Sequence, residues 1–145
     1  LQQREAALAE FYEDYKDEPL VLLKWLALQA GSDAPGNVAA ARELSSHPAF
    51  LPTNPNCCYS LYLAFVRSAP NFHAADGSGY EFVADAVLTV DKVNKQVAAR
   101  IAGAFTSCKQ FDARRRGLMQ AQLKRILGAE SVSENVYEIV SKSVE

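Results

Sequence analysis

The segment from Leu20 to Ala30 (LVLLKWLALQA) is apolar on nearly every face of a helix, with Lys24 and Gln29 as the exceptions. Such a helix calls for neighbours on most of its sides. It is bracketed by helix punctuation: Pro19 suits a first turn, where its missing N–H would be unpaired anyway, and Gly31 suits the exit. Asn56 to Arg67 reads as a second helix of the same buried kind, started by Asn54-Pro55 and carrying Tyr59, Tyr62, Leu63 and Val66 on one side.

The remaining segments repeat the 3.6-residue period. Leu8, Phe11, Tyr12 and Tyr15 form one stripe; Phe82, Val83, Ala86, Val87 and Val90 another; Val97, Ile101 and Phe105 a third. A long helix carries Leu118, Met119, Leu123, Ile126 and Leu127 inside, with Arg114, Arg115, Lys124 and Arg125 outside, and ends at Gly128. Val136, Val140 and Val144 line the last helix. A short helix from Pro35 to Ser45, capped by Ser32 or Asp33, is stopped by His47-Pro48. Asn94 and Asp112 are caps by type and position, and Ser78/Glu81 and Ser131/Glu134 have capping-box spacing. No window alternates with period two, so no strand is expected.

About eight helices joined by short turns imply an all-α fold. Antiparallel pairs stacked in sequence give an α-solenoid of the HEAT or armadillo kind. The sequence has no clean internal repeat near 40 residues, so this reading rests on helix count and on the two helices apolar all round. With 145 residues, residues 1–145 are expected to form a single helical domain.

Composition narrows the function classes. At 49% hydrophobic and a net charge of −2 the chain is neither disordered nor a typical nucleic-acid binder. No apolar run approaches a membrane span, Pro19 to Leu23 ending at Lys24, and no signal peptide is visible at the start. The first residue is Leu1 rather than Met, within an amphipathic pattern, which reads as a piece of a longer protein. Three cysteines, two of them adjacent, suit a reducing, cytoplasmic setting better than a disulfide framework.

The stretch from His73 to Tyr80 (HAADGSGY) gathers a His, an Asp and two Gly before a helix. A helix N-terminus there offers N–H groups to an anion. The plainer reading is that Asp76, Gly77, Ser78 and Gly79 turn the chain, with Ser78 and Glu81 capping the helix reciprocally and His73 fixing the turn. His73 and Asp76 supply two metal ligands at most, and no catalytic motif such as H-E-x-x-H is present. Cys57 and Cys58 are either a redox pair or small hydrophobes in a buried helix; the Leu, Tyr and Phe that follow favour the second. Cys108 reads as a lone thiol near a helix end. Lys109 and Arg114 to Arg116 read as a solvated basic face.

Several blocks in this order, LVLLKWLALQA, HPAF from His47, NPN from Asn54, HAADGSGYEF from His73, NKQVAAR from Asn94 and VYEIVSKS from Val136, resemble the C-terminal domain of the bacterial-type aminopeptidase N family of zinc aminopeptidases. The resemblance covers nearly the whole chain. It implies a non-catalytic helical superhelix that packs on an upstream catalytic domain of the same chain, encloses the active-site chamber and controls access of peptide substrates. The zinc would be held in that upstream domain, with no cofactor in this part. It also implies that Arg100, in QVAAR, faces the chamber, where its guanidinium suits a peptide carboxylate. The sequence departs from the family pattern at Cys57 and Tyr59, where relatives usually carry arginines. The alternative is a free-standing helical scaffold for protein–protein interaction; an RNA-binding helical repeat fits the charge poorly.

Overall fold

The computed structural model describes residues 2–145. Among them every regular element is helical. In chain order these are α1 (Gln2–Tyr15), α2 (Pro19–Ala30), α3 (Asn37–Ser45), α4 (Pro55–Cys58), a π-turn (Tyr59–Leu63), α5 (Ala64–Arg67), α6 (Ala69–Phe72), α7 (Ser78–Asp91), α8 (Lys95–Ala102), α9 (Ala113–Leu127) and α10 (Glu134–Ser143), with 3₁₀ turns at Gly103–Phe105 and Cys108–Gln110. α4, the π-turn and α5 form one helix without a break, so eight longer helices and the single turn α6 build the described chain.

The helices pack as stacked antiparallel pairs. α2 lies between α1, α3 and the Pro55–Arg67 helix; α7 packs on α8 and α9; α8 packs on α10. One contiguous core runs through the stack, from Trp25 and Leu26 through Phe65, Tyr80 and Val87 to Leu123 and Val140. The stripes of α7, α8 and α10 lie where their periodicity puts them: Phe82, Val83, Ala86, Val87, Val90, Val97, Ile101, Val136 and Val140 are all buried.

Three expectations about burial need correction. α2 is not covered on all sides: Leu22, Trp25, Leu26 and Ala30 are buried, but Leu20 (77% exposed) and Leu28 (69%) flank Lys24 on an open stripe. The deepest face of the Pro55–Arg67 helix is Cys57, Cys58, Leu61, Tyr62, Ala64 and Phe65, while Tyr59, Leu63 and Val66 are half-buried. Both sides are apolar, so polarity gives no contrast to rank them. α1 contributes no buried residue; Leu8 and Tyr12 lean on the core, while Phe11 and Tyr15 are exposed.

The helix ends follow side-chain chemistry where one oxygen can reach the orphan N–H groups. Asn54 accepts from Asn56 N (2.9 Å), Asn94 from Gln96 N and Val97 N (both 3.1 Å), and Asp112 from Arg115 N (3.0 Å). The Ser131/Glu134 box does not form. Ser131 is left-handed at φ 61°, and Ser133 is the cap, accepting from Val136 N at 3.2 Å. α3 begins two residues later than Pro35, behind Gly36 at φ 75°, and Ser32 instead accepts from Ala34 N at 3.3 Å. Gly31 and Gly128 end their helices with negative φ, so neither is a left-handed stop.

Candidate functional site

The loop from His73 to Tyr80 is built around close backbone contact. Gly79 lies where α7 starts directly on the turn of α6: a Cβ there would stand 2.2 Å from the Asn71 carbonyl oxygen and 2.4 Å from that of Phe72. Gly77 has φ 78°, the left-handed region where a side chain is strained. Both glycines are thus required by geometry.

Ser78 and Glu81 do not form a capping box. The Ser78 hydroxyl donates to Asp76 Oδ1 (2.6 Å), which also accepts the Ser78 N–H (2.9 Å), while the N–H of Glu81 goes to the Gly77 carbonyl (3.1 Å). The left-handed Gly77 precedes α7, so Ser78 is already its first helical residue and points back to the turn. The Ser78 hydroxyl and then its N–H hold the Asp76 carboxyl below its ordinary pKa.

His73 is fixed from three sides. Its Nδ1 lies 2.6 Å from the Tyr80 hydroxyl, and its ring stacks on Phe111 at 4.4 Å and meets Phe72 at 4.7 Å. Burial, and then the nearby Arg115 guanidinium, push its pKa down, which favours the neutral ring with Nδ1 as acceptor from the phenol. Burial also raises the Tyr80 pKa, so the phenol keeps its proton.

The basic run is not a bare solvated face. Arg115 donates from Nε to the His73 carbonyl (3.1 Å) and pairs with Asp112 (3.0 Å); Arg114 donates to the Ala75 carbonyl (3.1 Å). Arg116 pairs with Glu145 at 3.6 Å. The start of α9 therefore clamps the loop, a contact that sequence spacing does not reveal because 39 to 42 residues separate the partners.

A buried polar knot behind the loop also escaped the sequence reading. Asn71 Oδ1 accepts the Asn37 N–H (3.1 Å), and its amide group donates to the carbonyls of Ser32 and Ala34 (both 3.1 Å). Asn37 in turn donates to the Gln29 and Ala30 carbonyls (2.9 and 3.2 Å). These bonds satisfy the end of α2 and the start of α3 together.

Arg100 lies elsewhere, exposed in the last turn of α8, with its guanidinium carbon 4.4 Å from the centre of the Tyr59 ring. The structure does not bring it to the His73 loop. Cys57, Cys58 and Cys108 are free and buried. Burial, and then Cys57, raise the Cys58 pKa to about 11, which leaves it a neutral thiol. Cys108 accepts from Gln120 Nε2 at 3.2 Å and faces the Ser143 carbonyl. Among the described residues no three His, Cys, Asp or Glu side chains converge as a metal site.

The whole chain, residues 1–145, matches the family described as "Domain of unknown function (DUF3458_C) ARM repeats". The chain belongs to the DUF3458_C family. The ARM-repeat description agrees with the stacked helix pairs. This DUF3458_C chain is 39% identical over 142 residues to aminopeptidase N of Caulobacter vibrioides and 37% identical to that of Escherichia coli, in each case over 97% of its own length. It matches aminopeptidase N of Haemophilus influenzae at 34% identity over 98%. It spans 16% of the length of each of these relatives, in their C-terminal part. Among solved structures it superposes on Legionella pneumophila aminopeptidase A, crystallised in complex with aspartic acid, with a TM-score of 0.91 and 30% identity, covering 98% of this chain and 17% of that one.

Proposed function

We propose that residues 1–145 form the non-catalytic C-terminal helical domain of a zinc aminopeptidase of the aminopeptidase N type, a larger protein that removes N-terminal amino acids from peptides. The domain packs on the upstream catalytic part of the same chain, encloses the active-site chamber and controls substrate access. The observation that carries this is the match along 97% of the chain to aminopeptidase N relatives of which it is 16%.

The chain's own residues do not fit a zinc centre. It has two histidines; Nδ1 of His47 accepts the Ala49 N–H and Nδ1 of His73 faces Tyr80. In this reading the zinc belongs to the upstream part, and this domain contributes no chemical step. Its contribution is shape and charge. Arg100 faces the chamber and meets the carboxylate of a peptide in a forked contact. The three buried free thiols suit the cytoplasm, and the net charge of −2 suits peptide rather than nucleic-acid partners.

The test compares the full protein with residues 1–145 alone. The full protein should release N-terminal residues from short peptides, contain zinc and lose activity to a chelator, while the isolated domain releases none. Peptidase activity in residues 1–145, or a full protein without any, overturns the proposal.

A further inference from the structure

We infer that Tyr59 is a positioning residue for Arg100: the half-buried ring holds the guanidinium over its face and leaves its N–H donors for the free C-terminal carboxylate of a bound peptide. This rests on the chamber role proposed above for Arg100.

An exposed arginine is a long rotor, and ordering it on a ligand costs side-chain entropy. Tyr59 removes part of that cost in advance. The 4.4 Å separation from its ring is well inside the roughly 6 Å reach of a cation–π contact. A guanidinium resting on a ring spends its face there and leaves edge N–H donors for an anion. Arg42, Arg115, Arg116 and Arg125 each lie within 4 Å of a carboxylate; Arg100 makes no such pair among the described residues.

The backbone beneath supplies a second, independent sign. Tyr59 is the first residue of the π-turn Tyr59–Leu63, set inside an otherwise α-helical run from Pro55 to Arg67. π-turns are rare and concentrate at functional sites, because the wider turn re-aims the side chains at its edge. The helix around it is anchored by buried Cys57, Cys58, Leu61 and Phe65, and Tyr59 itself packs against that core. The ring is therefore a fixed plate, while Arg100 reaches it from α8.

The experiment uses the full protein and two peptides that differ only in ending as a free carboxylate or as an amide. Tyr59→Leu should raise KM for the carboxylate peptide about two- to five-fold, the factor an exposed cation–π contact corresponds to, leaving kcat and the amide peptide unchanged. Tyr59→Phe keeps the ring and should behave as wild type. Arg100→Gln should raise the same KM by at least as much, and adding Tyr59→Leu to it should change nothing further. If Arg100→Gln raises KM but Tyr59→Leu does not, or if their effects simply multiply, Tyr59 does not position Arg100 and the inference falls. If Arg100→Gln leaves both peptides unaffected in an active enzyme, the reading of Arg100 falls instead, and the inference with it. Should Tyr59→Leu fold poorly, the comparison of Tyr59→Phe with Tyr59→His, which has a smaller ring that weakens the contact, reads the same KM difference.

Discussion

Gly79 meets the carbonyl oxygen of Asn71 so closely that a methyl group on it would stand 2.2 Å from that oxygen. Because the obstacle is backbone, it cannot rotate away. Gly79→Ala must push α7 off the α6 turn, and α7 carries the centre of the core. The cost should be about 3 kcal/mol or more, as for a severe overpacking change. Gly117→Ala is the control: it is exposed inside α9, and its Cβ would meet nothing within 4 Å. It should stabilise by ~1 kcal/mol through helix propensity. Denaturant melts of the two variants check both signs.

The sequence discloses these features unevenly, for a physical reason. Periodicity reports which face of a helix is apolar, so the stripes of α7 and α10 are legible. It is silent where all faces are apolar, so it does not show that Leu20 and Leu28 are left open while Leu26 is buried. Caps are legible when one oxygen reaches the next turn, as at Asn94. They are not where a left-handed glycine resets the start, as Gly77 does for Ser78. In the HAADGSGY loop the residue types are visible, but their anchors, Arg114 and Arg115, come from far along the chain. The pairing of Tyr59 with Arg100 is hidden for the same reason.

Asn71 joins three segments, and its loss should be felt in all of them. Asn71→Ala strands the buried Asn37 N–H and the half-buried Ala34 carbonyl, and leaves the Ser32 carbonyl with the Ser68 hydroxyl alone. An unsatisfied buried group costs about 1 to 3 kcal/mol, so a total near 3 kcal/mol is expected, with some relief from water. Asn71→Asp restores the acceptor but not the donors and should recover only part of it. Melts of both variants, with amide exchange at Asn37, check this; a wild-type melting curve for Asn71→Ala would refute the knot.

The two histidines make the domain sensitive to mild acid. Burial lowers the pKa of His47, and burial with Arg115 lowers that of His73, each from about 6.5. The unfolded chain therefore binds more protons than the folded one once pH falls below that value, and stability must fall with it. Their contribution is complete above pH ~7 and is lost as pH drops through the interval between the unfolded and the lower folded pKa. Asp76 and Asp112, held below their ordinary values, do not titrate in that window. Melts between pH 7.5 and 5 should show a decline that is smaller in His73→Gln and in His47→Gln and smallest in the double variant. An undiminished decline in the double variant would assign it to other groups.

Trp25 decides whether α1 stays attached. It is 6% exposed, donates from its indole N–H to the Leu8 carbonyl (3.0 Å), and packs against Tyr12 and His47 at 5.1 and 5.0 Å. α1 has no buried residue of its own, so its hold on the stack runs through this cluster. Trp25→Ala removes the donor and the ring together and should cost about 3 to 5 kcal/mol, the range for a large core aromatic. The damage should be uneven. Amide exchange should accelerate throughout α1 first, while α7 and α8, packed on each other far from Trp25 in sequence, keep their protection until global unfolding. Trp25→Phe retains most of the packing without the hydrogen bond and should cost clearly less. If α1 exchanged no faster than α8 in Trp25→Ala, its attachment would have to come from contacts other than this one.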